Sequence, residues 1–428
     1  APRRSPATAG HPEETLAIVT PPVQANLSRA DLIKEYNRDR LGFLLSAVRR
    51  YGPVVELSPG TVLIADGEIA QDVLRRTDRD YLKDRDRAWR PIDGRRGSDA
   101  LESWLSARRS LLSALSGGLV AEHLRWYSAR LEALLDTWAT RGRTDDPLSP
   151  LVRLDTDAFL RLCSGPSGRP DQRAGLAAAV EELLDSLRPI VRSSYELPWF
   201  LELLTGRRRR AARAQQRLEA QMGVLVDSPP PGGLAEILRD AGVPREPLVR
   251  ILVSASVAAR FVPAAANAWT LRALALHRPT GEPAHIVDEV LRLWPPTWLI
   301  YRATHAEEVS GPWRFPAHAA LMISPYAIHR DERHFPDPAE FRPERWRDWR
   351  PPAGAYLPFS GGPRWCVGTH LAKAQLVEAV RVFRRYRLAA DSGPVAADTT
   401  ATLYPRGLTL RVDRAHADQA GSSAAAGG

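Results

Sequence analysis

The sequence predicts a mainly helical protein with small β-sheets, arranged around one long central helix. Three observations lead there. Apolar residues recur at three-to-four spacing through 101–115, 121–140, 174–191 and 207–226, the period of helices that bury one face. The run 247–277 is longer and more apolar, about 46 Å as a helix, enough to cross a whole domain. Strand patterns are short by contrast. Residues 54–57 and 61–65, separated by Ser58-Pro59-Gly60, read as a hairpin, and from Trp298 onward brief strand-like pieces alternate with Pro-rich turns until a helix begins after Cys366. The run D-S-P-P-P-G-G at 227–233 reads as a loop. Residues 1–28 are expected to be disordered or extended, 29–414 to form a single domain, and 415–428 to be a disordered tail.

Composition narrows the classes. With 44% apolar and 25% charged residues over 428 positions, the chain is neither fibrous nor intrinsically disordered. No apolar stretch is expected to reach the roughly 18 residues of a membrane span, and residues 1–10 lack the charged-then-apolar order of a secretory signal, so a soluble, cytoplasmic protein is expected. The net charge of +9 rests on 59 basic residues, of which only Lys34, Lys83 and Lys373 are lysines. No zinc finger, basic zipper or aromatic platform accompanies the arginines, so nucleic-acid binding is not expected, and the cluster at 207–210 reads as a solvated helix face. Two cysteines are too few for a disulfide framework. Cys163 lies in an apolar run and reads as a core residue.

Cys366 stands in a different context. The segment F-S-G-G-P-R-W-C-V-G at 359–368 is a glycine-rich loop that delivers a cysteine to the start of a helix. There the helix dipole and free backbone N–H groups favour a thiolate. Gly362 permits a tight turn, Gly368 permits close approach to a flat ligand, Arg364 suits a carboxylate on that ligand, and Phe359 shields the sulfur.

Phe359, Gly362, Arg364, Cys366 and Gly368 match F-x-x-G-x-R-x-C-x-G, and on them the chain resembles the cytochrome P450 family. The resemblance implies the fold of that family, with the long helix crossing a heme b (iron protoporphyrin IX), and Cys366 as the axial ligand of its iron. Trp104 and Arg108 look like the family's W-x-x-x-R helix, and Arg302 like the arginine on the neighbouring strand. With Arg364 they would surround the heme propionates. Glu289 and Arg292, one helical step apart before Pro295-Pro296, resemble the E-x-x-R pair, and Arg345 in F-R-P-E-R-W the third member of that structural network.

The chain also departs from the pattern. Anchoring on Trp269 and L-H-x-P at 276–279 places Ala258-Ala259-Arg260-Phe261-Val262-Pro263 on the family's A-G-x-E/D-T-T/S segment, so Phe261 replaces the acid and Val262 the alcohol. Neither can exchange a proton. Pro263 is expected to kink or open the helix. The span between His277 and Glu289 is short, and Gln375 stands where the family often has an acid, a change read as unimportant. The expected pocket comprises Ala258, Ala259, Phe261, Val262, Thr297, Trp298 and Leu299, with the loop before Trp104. A non-catalytic heme-like domain that recruits another protein is disfavoured because Cys366, Arg364, Trp104 and Arg108 are all retained, which leaves two functions. One is a monomeric oxygenase of hydrophobic small molecules such as terpenoids or polyketides, fed electrons by a ferredoxin and its reductase. The other is a heme-thiolate peroxygenase or a redox-neutral isomerase or dehydratase.

Overall fold

The computed structural model describes residues 19–83, 99–115, 117–192, 206–390 and 395–415. The chain starts with β1 (Val23–Gln24), α1 (Arg29–Arg38) and α2 (Arg40–Tyr51), then β2 (Val54–Ser58), β3 (Thr61–Ile64), α3 (Gly67–Arg75) and β4 (Tyr81–Leu82). A helical series follows: α4 (Asp99–Ala114), α5 (Gly117–Arg141), α6 (Leu148–Ser164), α7 (Pro170–Arg192), α8 (Arg207–Asp227), α9 (Leu234–Asp240), α10 (Arg245–His277) and α11 (Pro283–Leu293), with the short β5 (Arg143–Thr144) before α6. Strands β6 (Ile300–Thr304), β7 (Glu308–Ser310), β8 (Trp313–Phe315) and β9 (Ala320–Ile323) lead to α12 (Pro325–Ile328) and α13 (Thr369–Phe383). The last strands are β10 (Tyr386–Ala390), β11 (Ala396–Asp398), β12 (Tyr404–Arg406) and β13 (Leu410–Arg414). The protein is therefore mainly α with small sheets, as the periodicities predict.

Helices α1 and α3 begin where side chains satisfy their first N–H groups. Ser28 accepts from Asp31 N–H at the start of α1, and Asp66 accepts from Glu68 and Ile69 N–H at the start of α3. The hairpin β2–β3 joins a six-stranded sheet of order β1-β2-β3-β9-β6-β4, and β10, β13 and β5 form a second sheet against α5. The segment around Val23 is thus an edge strand, pairing in parallel with Val55. Residues 1–18 and 416–428, where terminal disorder was expected, lie outside the described residues.

α10 runs through the core, packed by α4, α6, α8, α11 and α13. By length and composition it is the one described helix apolar enough to cross a membrane, with a mean hydropathy of 1.6 over its most apolar window. That corrects the expectation that no segment reaches such a length. Half of that window is buried against neighbouring helices and one stripe faces a cavity, which is the position of a core helix. The helix continues through Pro263 without a break, against the expectation of an opening. α10 and α11 are joined by residues 278–282 alone, so the shortened span leaves no room for an intervening helix.

Candidate functional site

Between α10 and α13 lies an open-mouthed cavity of about 290 Å³. That is near the lower end of the roughly 300–1,000 Å³ of an ordinary small-molecule pocket. One face of α10 lines it through Ala255, Ala258, Ala259, Val262, Pro263 and Ala266, the three-to-four spacing of a single helical stripe. Thr297 lies on the same wall, and Phe359, Arg364, Cys366 and Gly368 line the opposite side.

Three residues expected in the pocket are placed elsewhere. Phe261 turns to another face of α10 and packs near Tyr404, with ring centroids 6.2 Å apart. Trp298 is buried and stacks on Tyr36 at 6.5 Å, and Leu299 packs in the same cluster. A helix step of about 100° per residue separates Phe261 from Val262, and Trp298, in the irregular segment before β6, is held by its stacking on Tyr36 of α1. The loop before Trp104 falls largely in 84–98, outside the described residues.

The cysteine loop is fixed by its own backbone. Cys366 N–H donates to Phe359 O at 3.0 Å, and Thr369 Oγ1 donates to Cys366 O at 2.7 Å. Burial pushes the Cys366 thiol up, while Gly368 N–H, the Thr369 hydroxyl and the Arg108 charge pull it down. The helix start therefore favours the thiolate less than the surrounding protein opposes it. Gly362 has φ +65°, and a Cβ there would lie 2.0 Å from Leu74 O. Its place is against the backbone of α3 rather than against a cofactor. Gly362→Ala is expected to cost more than about 2 kcal/mol in denaturant unfolding. Gly368 differs, because its φ is −84° and a Cβ would meet only Cys366 Sγ, at 3.8 Å. Gly368→Ala should keep the stability and change heme binding.

Beside the sulfur stands a cluster of cations. Arg108 and Arg364 place their guanidinium carbons 4.7 and 4.2 Å from the centre of the Trp104 ring, and Arg108 Nη2 donates to Trp365 O. Burial, then the like charge of Arg364, push Arg108 below its ordinary value. Arg364 pairs with Asp78 through two bonds of 2.7 and 2.9 Å, and Arg302 Nε donates to Thr77 Oγ1 at 2.8 Å, so consecutive residues link both arginines. Trp104 Nε1 and Arg364 Nη1 are buried with no hydrogen-bond partner among the described residues. Unmet donors and crowded positive charge next to a cysteine fit a flat group that carries carboxylates. Arg108→Ala is expected to weaken heme retention by about 10- to 100-fold, the worth of a charge-assisted bond, read as heme content after gel filtration. Unchanged content would place Arg108 outside the cofactor site.

The network behind the loop converges on Glu289. Its carboxylate accepts from Arg292 Nη2 (2.8 Å) and Nε (2.9 Å), from Arg345 Nε (3.2 Å), from Trp346 Nε1 (2.9 Å) and from Arg342 N–H (2.8 Å). His329 connects it to the cysteine loop, since its Nδ1 meets Arg292 O at 3.2 Å and its Nε2 accepts from Leu357 N–H at 2.8 Å. Burial pushes His329 down to about 3, which keeps it the neutral acceptor that Leu357 needs. Sequence reasoning missed His329, Trp346, Thr77 and Asp78. Trp346 closes the F-R-P-E-R-W segment, while the other three belong to no short motif and only tertiary contact reveals them.

Arg260 is almost fully buried and aims away from the cavity, with Nη2 on Glu181 Oε1 (3.1 Å) and Nη1 on Thr156 Oγ1 (3.4 Å). Cys163 is wholly buried among apolar side chains, and burial raises its thiol.

A thiol lining a cavity, beside cations with unmet donors, has the chemistry to hold a flat cofactor that carries carboxylates. The family model described as Cytochrome P450 matches residues 284–408. Cyclooctatin synthase of Streptomyces melanosporofaciens is 44% identical over 86 residues, which cover 19% of this chain and 19% of that protein. Probable cytochrome P450 4d21 of Drosophila melanogaster is 35% identical over 122 residues, 27% of this chain and 23% of that protein. The chain thus matches about a fifth to a quarter of the length of these curated relatives. A six-coordinate cytochrome P450 from Thermus thermophilus superposes over 92% of this chain and 100% of its own, with TM-score 0.69 and 24% identity. A retinoic acid-bound cyanobacterial relative superposes over 93% and 100%, with TM-score 0.74 and 18% identity, a likeness of fold. Over residues 284–408 the chain is similar to the cytochrome P450 family, a family of heme b proteins, and its fold is that of the solved members.

Proposed function

We propose that this protein is a heme-thiolate monooxygenase that oxidises a hydrophobic metabolite with electrons from a ferredoxin and its reductase. The carrying observation is the cavity that Cys366 Sγ shares with the apolar stripe of α10. Cys366 would hold the iron, while Trp104 Nε1, Arg108 and Arg364 would hold the propionates. When bound, the heme supplies the oxidising chemistry. The stripe from Ala255 to Ala266 then binds an apolar substrate and excludes water. A second Streptomyces relative carries the name Cyclooctat-9-en-7-ol 5-monooxygenase, which supports a hydrophobic metabolite as substrate.

The replaced acid and alcohol favour a second reading, in which peroxide or no oxidant is used. Its peroxygenase form lacks a cation in the cavity wall at Arg260, because that side chain is tied to Glu181 and Thr156. Product formation should require ferredoxin, reductase and NADPH together. Turnover with hydrogen peroxide alone, or conversion with neither, would replace this function by the second reading.

A further inference from the structure

A buried polar cluster in the cavity wall is used by none of the roles above. Asp155 of α6 accepts at Oδ1 from Tyr127 Oη (2.9 Å) and from Gln375 Nε2 (2.9 Å). Tyr127 Oη accepts from Asn267 Nδ2 at 3.0 Å, and Gln375 Oε1 meets His123 Nε2 at 3.3 Å. With the imidazole donating through Nε2, every bond in the chain runs toward Asp155 Oδ1. Oδ2 is buried and has no partner among the described residues. Asp155, His123 and Gln375 all line the cavity, on a wall continuous with Ala266 of α10.

We propose that Asp155 is a proton-exchanging acid of the cavity, holding its proton on Oδ2 and giving it to water or to a ligand oxygen bound there. In that transfer the Oδ2–H bond breaks, the proton passes to the acceptor oxygen, and the carboxylate left behind keeps the bonds from Tyr127 and Gln375. Burial pushes the Asp155 carboxyl up to about 8 against those two hydrogen bonds. No cation meets it. Arg260 of α10 is held by Glu181 of α7 and by Thr156, Arg161 pairs with Glu122 of α5, and Arg173 of α7 pairs with Asp157. On α9, Glu236 accepts from Gly232 N–H, and burial keeps His123 of α5 below its usual value. Gln375 is therefore not incidental, as the sequence suggested: the amide stands beside an acid supplied by α6. Only the use of the proton rests on the monooxygenase reading.

The test uses the heme-loaded protein. A carboxylic-acid C=O band should be present in the infrared at neutral pH and absent in Asp155→Asn, and its proton should exchange in deuterium oxide before the backbone amides of α10. Because the folded group binds its proton more tightly than the unfolded one, the folding constant should fall as pH rises between about 4 and about 8, by at most about tenfold per unit. Asp155→Asn should flatten that slope, and Gln375→Glu should move the band's titration upward by about a unit or more, as a second carboxyl opposes ionisation. Product per NADPH should drop several-fold in Asp155→Asn. A band that is absent at neutral pH, exchanges only on global unfolding, or survives in Asp155→Asn overturns the proposal. If the infrared results hold while NADPH supports no product, the oxygenase reading fails and the acid stands.

Discussion

Cys366→Ser should abolish the red-shifted Soret band that the reduced protein gives with carbon monoxide. The loop is held by Cys366 N–H on Phe359 O, by Thr369 on Cys366 O and by the turn at Gly362, none of which involves the sulfur. Serine therefore occupies the same place, and the loss reports ligation rather than folding. Turnover should fall by more than the roughly 10- to 100-fold that loss of an outer partner of a metal ligand costs. Cys163 cannot substitute, because it is fully buried and is not among the residues that line the cavity. Persistence of the band in the mutant would remove Cys366 from the iron.

Glu289→Ala should cost about 3–5 kcal/mol or prevent folding altogether. Arg292 is completely buried, and its remaining partners are the carbonyls of His329, Pro338 and Glu340. Without Glu289 its charge is uncompensated in a medium that cannot solvate it, and Trp346 Nε1 and Arg342 N–H lose their acceptor. Glu289→Gln, which keeps the shape and accepts through one oxygen only, should lose less. Denaturant midpoints of the three proteins check the order. Equal stability of Glu289→Ala and wild type would make the network dispensable. His329 adds a pH term of known sign. Its folded value lies near 3, below that of the unfolded chain, so its contribution is present above about pH 6.5 and is lost as pH falls toward 3.

The sequence by itself determined the helical class, the long central helix and the cysteine loop. Helices with one buried face announce themselves by their period, as α5 and α8 do, and the heme signature is local because a loop of ten residues carries it. It gave little sign of α6, whose narrow polar stripe of Ser149, Arg153, Asp157 and Arg161 is outnumbered by positions buried between α5, α7, α9 and α10. Nor could period alone say which face of α10 meets the cavity. Packing turned Val262 and Pro263 inward and Phe261 toward Tyr404, and it tied Arg260 to Glu181. What only the tertiary structure decided is everything that joins distant segments: Asp78 on Arg364, His329 between Arg292 and Leu357, and Asp155 beneath Gln375. The reason is physical. A helix period or a tight turn depends on neighbours in the chain, whereas a buried polar group is governed by whichever remote donor the folded core brings within hydrogen-bond reach.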